Sequence, residues 1–79
     1  MRLDKYLKVS RLIKRRAIAN EACDNGRVSV NGKPARASYG VQEGDVIEIQ
    51  LGQRVTRVKV VRVAEHVGKD EAGAMYREI

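Results

Sequence analysis

The sequence predicts an α+β domain in which two or three short helices pack on a small antiparallel sheet of about four strands. Three observations support this fold class. Residues 1–24 place apolar side chains at the three- and four-residue spacing of a helical face. Residues 28–63 alternate apolar and polar side chains, as half-buried strands do. Within the second pattern stands Asn31-Gly32, a pair typical of a tight β-hairpin turn.

Length and composition fit one small domain. The 79 residues are 43% hydrophobic and 33% charged, and no apolar run approaches the roughly 20 residues that span a bilayer. Asp4 lies close to the start and no apolar segment follows it, so we expect no signal peptide and a cytoplasmic location. The lone Cys23 has no cysteine partner, and we expect it to be a small core residue.

A short amphipathic helix is predicted over residues 1–9. Leu3, Tyr6 and Leu7 follow the spacing of one helical face, and the cations of this segment fall mostly on the other side. The helix can therefore pack through its apolar face while it shows positive charge to solvent. We expect Tyr6 to be a core residue.

A second helix is expected over residues 14–24, with a stripe of small apolar side chains. Ser10 is a good N-cap type, and a helix start anywhere within residues 11–14 fits the sequence. Gly26 provides the stop, because glycine takes the left-handed conformation after a helix end without a Cβ clash.

A β-hairpin is predicted around Asn31-Gly32. The strand before it is Val28–Val30, and the Asn-Gly pair can adopt the positive φ angles of a type I′ turn. The return strand over residues 33–35 should be short, irregular or at a sheet edge, because Pro34 has no N–H group to donate.

Two longer strands complete the predicted sheet. Val46–Leu51 alternates cleanly, whereas residues 55–63 alternate in two registers that a bulge near Val60 and Val61 would reconcile. Residues 64–79 show weak periodicity, and we expect a short helix or a frayed end there. We therefore place the domain at residues 1–63 and treat the remainder as a C-terminal tail.

Positive charge is concentrated in the N-terminal half. The net charge is +6, but residues 1–36 hold ten Lys or Arg against three acids, giving +7, whereas residues 37–79 give −1. Four cations crowd into residues 11–16, where a helix start is expected. The helix macrodipole favours acids at that position, so these cations indicate a polyanionic partner outside the helix.

Other functions compete with this interpretation. A DNA-binding helix-turn-helix could use the basic second helix, but its later face, with Ala19, Ala22 and Cys23, is poor in side chains that read bases. No carboxylate pair, Ser-His-Asp set or phosphate-binding glycine loop supports an enzyme, so we predict no catalytic residue, metal site or cofactor. Binding of a protein partner by the acidic C-terminal half is compatible with polyanion binding by the other half.

Several separated motifs together resemble a known family, the RNA-binding domain named after ribosomal protein S4. The motifs, in chain order, are Arg2-Leu3-Asp4-Lys5-Tyr6-Leu7, Arg11, Arg15-Arg16-Ala17, Gly26-Arg27-Val28, Val30-Asn31-Gly32-Lys33, Val41, Gly44-Asp45 and Ile47. The resemblance covers residues 2 to about 51, nearly two thirds of the chain. It implies a helix pair packed on a small, bent antiparallel sheet, and an RNA-binding function.

Within that family, a free-standing copy of this size is most similar to small bacterial ribosome-quality-control factors. That similarity implies binding to an obstructed large ribosomal subunit, with contacts to ribosomal RNA and peptidyl-tRNA. It also implies that the P-site tRNA is held while a partner, RqcH, recruits alanyl-tRNA for C-terminal tailing. A heat-shock relative carries a long basic C-terminal extension that this chain lacks. Large-subunit rescue of the heat-shock type and ribosome biogenesis remain alternatives, and we expect a monomer without membrane contact.

Carried over by position, the resemblance implies an RNA-binding surface on the two helices and the hairpin. Its members are Arg2, Lys5, Arg11, Lys14, Arg15, Arg16, Asn20, Arg27 and Lys33. Guanidinium groups can grip two phosphate oxygens together, whereas lysine acts as a point charge. Because helical RNA hides its base edges in a deep groove, such a surface would read phosphates and shape. Asp4 either orients cationic neighbours or touches RNA, and the sequence leaves both open.

Overall fold

Two α-helices form the N-terminal part of the computed structural model, which describes all 79 residues. They are α1, Leu3–Val9, and α2, Arg16–Asp24. Helix α2 begins later than predicted, because the backbone of Arg15 is still extended, with φ −121° and ψ 134°. Ser10, a candidate N-cap of the second helix, instead ends α1, and its hydroxyl donates to the Leu7 carbonyl oxygen at 3.3 Å.

Five antiparallel strands form one sheet in the order β2-β1-β3-β4-β5. The strands are β1 Val28–Val30, β2 Lys33–Pro34, β3 Val46–Leu51, β4 Arg54–Val60 and β5 Tyr76–Glu78. The predicted α+β class is confirmed, with five strands rather than about four. The additional strand, β5, comes from the C-terminal residues and pairs with β4, so that Val60 lies opposite Tyr76.

The hairpin predicted at Asn31-Gly32 is confirmed. Both residues have positive φ angles, 54° and 85°, as a type I′ turn requires. The Asn31 side chain also ties the turn to the start of β3, because its Oδ1 atom accepts the N–H of Val46 at 3.0 Å. Strand β2 is only two residues long and lies at the sheet edge. Proline is tolerated there because no further strand needs a hydrogen bond from its backbone nitrogen.

The C-terminal segment, for which a short helix or a frayed end was expected, forms a short helical turn followed by a fifth strand of the sheet. It contains a single 3₁₀ turn, Ala72–Ala74, before β5. Met75 is fully buried, and its carbonyl oxygen accepts the hydroxyl of Tyr6 at 2.7 Å. Such long-range contacts are invisible to local periodicity. The predicted boundary at residue 63 therefore falls between two strands of one sheet.

A change of register occurs where the sequence suggested a bulge. The N–H groups of Val61 and Arg62 both donate to the Met75 carbonyl oxygen, at 2.8 and 3.0 Å. Two successive amides that share one carbonyl are typical of a β-bulge, and they switch the side-chain alternation at the end of β4.

The core lies between the helix pair and one face of the sheet. Leu3, Tyr6 and Leu7 of α1 are fully buried, as the amphipathic pattern predicts, and they join alternate strand residues such as Ile47 and Val58. Cys23 is also buried, as expected. The opposite sheet face carries exposed side chains, so the helices cover only one side. Neither helix has the length and apolar character needed to cross a membrane.

Candidate RNA-binding surface

A buried carboxylate at the start of α1 organises the first part of the candidate surface. The Asp4 side chain is 3% exposed and accepts hydrogen bonds from Arg2 Nε and Asn20 Nδ2, both at 3.1 Å. Arg16 Nε lies 3.5 Å from Asp4 Oδ2, and the backbone N–H of Lys5 donates to Asp4 Oδ1 at 2.8 Å. We call Arg2, Asp4, Arg16 and Asn20 the Asp4 hub. The side chains of three predicted site residues thus meet at one carboxylate.

The Asp4 hub fixes the charge of its carboxylate and the direction of its arginines. Burial alone would raise the Asp4 pKa, but hydrogen bonds from Arg2 and Asn20 and the charge of Arg16 lower it from 3.8 to about 2. The hydrogen bond and charge of Asp4 raise the pKa of Arg2 in turn. Because Asp4 is enclosed and its oxygens are already bonded, the structure favours its role in orienting Arg2 and Arg16. Both arginine side chains remain about half exposed, at 49% and 48%.

Asp4→Asn tests the energetics of the Asp4 hub. We expect the free energy of unfolding at neutral pH to fall by about 2 kcal/mol, because the lowered pKa reports that much preference for the charged form in the folded state. The unfolded carboxyl titrates near 3.8 and the folded one at about 2. As the pH falls through this window, the unfolded state takes up its proton first, so the stabilisation is fully present above about pH 4 and is lost towards pH 2. Urea denaturation at several pH values checks this, and a difference that stays constant down to pH 2 would contradict it.

Lys5 is held differently from the Asp4 hub. Its ammonium group forms an ion pair with Glu65, which lies in the segment after β4. The hydrogen bond and charge of Lys5 lower the pKa of Glu65. Lys5 therefore ties α1 to the C-terminal segment, and part of its charge is already balanced.

Arg11 and Lys14 line a separate open groove beside the end of α1, together with Lys8 and His66. The sequence-based site omits Lys8 and His66. Lys8 lies one helical turn beyond Lys5, so its helix spacing could have pointed to it, whereas no local pattern connects His66 to this place. Arg15, the N-cap residue of α2, is exposed and forms no ion pair, and it precedes Arg16 directly.

Arg27 and Lys33 lie outside both groups. Arg27 lines a shallow depression with Gln50 and Gly52 beside the start of β1, whereas Lys33 lines another depression at the hairpin, together with Arg36. The nine predicted residues therefore divide among the Asp4 hub with its neighbours, the groove and the two ends of β1. Only in the hub do several of these side chains contact the same group, the Asp4 carboxylate. Three of the predicted cations, Arg2, Lys5 and Arg16, are paired with carboxylates.

Comparison with known proteins identifies the family. The S4 domain family matches residues 1–47. A relative from Halalkalibacterium halodurans, named RQC P-site tRNA stabilizing factor, is 53% identical over 76 residues, which cover 96% of this chain and 86% of the relative. The Bacillus subtilis protein of the same name is 50% identical over 76 residues, with coverages of 96% and 88%.

A solved structure agrees with the sequence comparison. The chain is similar to Vibrio cholerae Heat Shock Protein 15, whose structure is described as trimeric, with a TM-score of 0.92 and 31% identity. The similarity covers all of this chain and 81% of that protein. The matched motifs, the arrangement of helices and strands, and the extent of these identities agree with one another. The chain therefore belongs to the S4 domain family, alongside the relatives named RQC P-site tRNA stabilizing factor.

Proposed function

We propose that the protein is a non-enzymatic RNA-binding factor of bacterial ribosome quality control. It binds obstructed large ribosomal subunits in the cytoplasm and contacts ribosomal RNA and peptidyl-tRNA. It stabilises the P-site tRNA while RqcH recruits alanyl-tRNA for C-terminal alanine tailing. The observation that carries this proposal is the Asp4 hub, which presents two half-exposed guanidinium groups beside the unpaired Arg15.

The Asp4 hub suits phosphate binding because it orients guanidinium groups before RNA arrives. Arg2 directs Nε and one Nη atom towards Asp4, at 3.1 and 3.4 Å. A guanidinium group has five N–H donors, so the outer edge of Arg2 keeps donors for an RNA phosphate. Side chains that are already ordered lose less conformational entropy on binding. The hub therefore favours tight RNA binding that depends on the positions of the phosphates.

The charge of the surface supports the same proposal. Asp4 offsets one of the two hub arginines, and the adjacent Arg15 adds an unpaired cation. The surface remains positive although a carboxylate lies at its centre. Arg27 and Lys33, at the two ends of β1, extend positive charge to the hairpin side of the domain. Such spacing can neutralise phosphates on two RNA segments at once, as a clamp between ribosomal RNA and tRNA requires.

The names of the relatives support the tRNA part of the proposal, since they refer to a P-site tRNA. The resemblance to ribosome-quality-control factors supports RqcH as the partner on the same particle. We also propose that the protein acts as a monomer, although the Vibrio cholerae neighbour is described as trimeric. Size-exclusion chromatography with light scattering distinguishes the two states, and a stable trimer would require a different account of the exposed surface.

RNA and DNA binding are separated by one competition experiment. Helix α2 has only nine residues and buries Ala19, Ala22 and Cys23, so it offers no long basic face for a DNA major groove. We expect structured large-subunit RNA to bind about tenfold or more tightly than duplex DNA at the same salt concentration, because A-form geometry and 2′-hydroxyls distinguish the two. Fluorescence anisotropy over a salt series measures both affinities. Equal or tighter binding of DNA would end the proposal.

A further inference from the structure

A groove of about 440 Å³ lies between the end of α1 and the segment that follows β4. Its polar lining consists of Lys8, Arg11, Lys14, Glu65 and His66. This volume is within the range of about 300–1,000 Å³ typical of small-ligand sites. We call it the α1 groove. It is distinct from the Asp4 hub, with which it shares no lining residue.

The α1 groove has an excess of positive charge that the protein itself does not balance. Lys8, Arg11 and Lys14 form no ion pair, although Glu65 lies in the same lining. The Glu65 carboxylate is instead held by Lys5, outside the groove. Like charges that converge without a counter-charge repel one another. The three exposed cations are therefore available to bind an anion from outside the chain.

Arg11 adds a second, independent observation. Its φ angle is 65°, in the left-handed region that favours glycine, and it directly follows the C-cap residue of α1. Its N–H group donates to the Lys8 carbonyl oxygen at 3.0 Å, and the N–H of Ile13 donates to Leu7 at 3.0 Å, which closes the helix end. Glycine would make the same turn without a steric cost. Arginine at this position gives up stability and brings a guanidinium group to the groove, which is typical of a functional residue.

The shape and the remaining lining indicate the kind of anion. The α1 groove is concave, whereas the backbone of an RNA double helix is convex, so a protruding group fits better than a smooth helix. Two half-buried side chains, Val9 and Val67, add an apolar surface beside the cations. The ligand therefore combines a phosphate with a flat, partly apolar group. An unpaired nucleotide has both, and unpaired bases are what proteins recognise most readily in RNA.

We propose that the α1 groove binds one unpaired nucleotide of the RNA. Its phosphate lies against Lys8, Arg11 and Lys14, and its base lies on Val9 and Val67 near the His66 ring. This inference rests on the proposed RNA-binding function and deepens it, since it names a structural feature of the RNA that the protein selects. Two hairpin RNAs that differ by a single bulged nucleotide test it directly.

Fluorescence anisotropy measures the affinity of the protein for each of the two hairpins. The wild-type protein binds the bulged hairpin about tenfold more tightly than the fully paired one, which corresponds to about 1.4 kcal/mol. Arg11→Gly and Lys8→Gln each reduce that ratio to about threefold or less, because each removes one charge-assisted phosphate contact. Arg11→Gly also raises the Tm by about 2–5 °C, since glycine relieves the left-handed backbone. If Arg11→Gly is more stable than the wild type and yet discriminates less between the two hairpins, misfolding cannot explain the lower affinity ratio.

Lys59→Gln is the matched control. It removes the same charge from the exposed face of β4, between the buried residues Val58 and Val60. It should lower both affinities slightly and leave their ratio unchanged. Equal, tight binding of both hairpins by the wild type would overturn the α1 groove proposal alone. Absence of binding to either hairpin would instead contradict the proposed function. An equal loss of the ratio in Lys59→Gln and Lys8→Gln would show a general charge effect and overturn the groove assignment.

Discussion

Replacing Arg2, Arg15 and Arg16 together by glutamine is expected to lower the affinity for large-subunit RNA by about 1,000-fold or more. Hydrogen bonds to charged groups contribute about 1.5 kcal/mol each or more, and three such contacts would be lost. The slope of log K against log salt should also become shallower by about two to three, since each phosphate contact contributes slightly less than one unit. Anisotropy titrations at several salt concentrations measure both quantities.

The structure dictates how this variant is designed. Alanine at Arg2 and Arg16 would remove both the positive charges and the side-chain N–H donors from the buried Asp4 carboxylate, which is more destabilising than loss of the charges alone. Glutamine keeps an N–H donor for Asp4 and removes the positive charge. A matched variant with lysine at the same three positions keeps the charge but lacks the bidentate fork, so it should recover the salt slope and only part of the affinity. Undiminished RNA binding by a folded glutamine variant would show that the surface is assigned wrongly.

Met75→Ala is expected to destabilise the protein by about 2–5 kcal/mol, the usual cost of truncating a fully buried methionine. Met75 is 0% exposed, and its backbone carbonyl oxygen accepts the Tyr6 hydroxyl and the amides of Val61 and Arg62. A cavity there should loosen β5 first, because that edge strand has only three residues. Urea denaturation measures the loss, and amide hydrogen exchange should show it largest in β5.

Ile79→Ala is the control for Met75→Ala. Ile79 lies in the same C-terminal segment but is 57% exposed, so its truncation should change stability by less than about 0.5 kcal/mol. Equal, small effects of the two substitutions would mean that residues 64–79 contribute little to the fold. The pairing of β5 with β4 would then be wrong.

Local patterns predicted those parts of the fold that local chemistry determines. Val46–Leu51 was identified from its alternation, and Asn31-Gly32 from the positive φ angles that this pair tolerates. Strand β5 could not be predicted in this way. Its place depends on pairing with β4 and on the burial of Met75 against a helix at the other end of the chain, and neither leaves a periodic pattern in three residues.

The sequence predicted which types of residue form the candidate site, but it did not predict which of these residues contact one another. The resemblance to the S4 family pointed to the arginines of both helices, but it left open whether Asp4 touches RNA or orients its neighbours. Only the three-dimensional contacts show four donors converging on its carboxylate. The pairing of Lys5 with Glu65 spans 60 residues, and His66 reaches the α1 groove by the same long-range packing. Such long-range contacts cannot be predicted from the spacing of residues along the chain.

Sedimentation of the tagged protein with separated ribosomal particles tests the central claim most directly. We expect recovery with large subunits that carry peptidyl-tRNA, and loss of that recovery when Arg2, Arg15 and Arg16 are replaced by glutamine. Recovery with assembling small subunits, or unchanged recovery of the folded glutamine variant with large subunits, would contradict it.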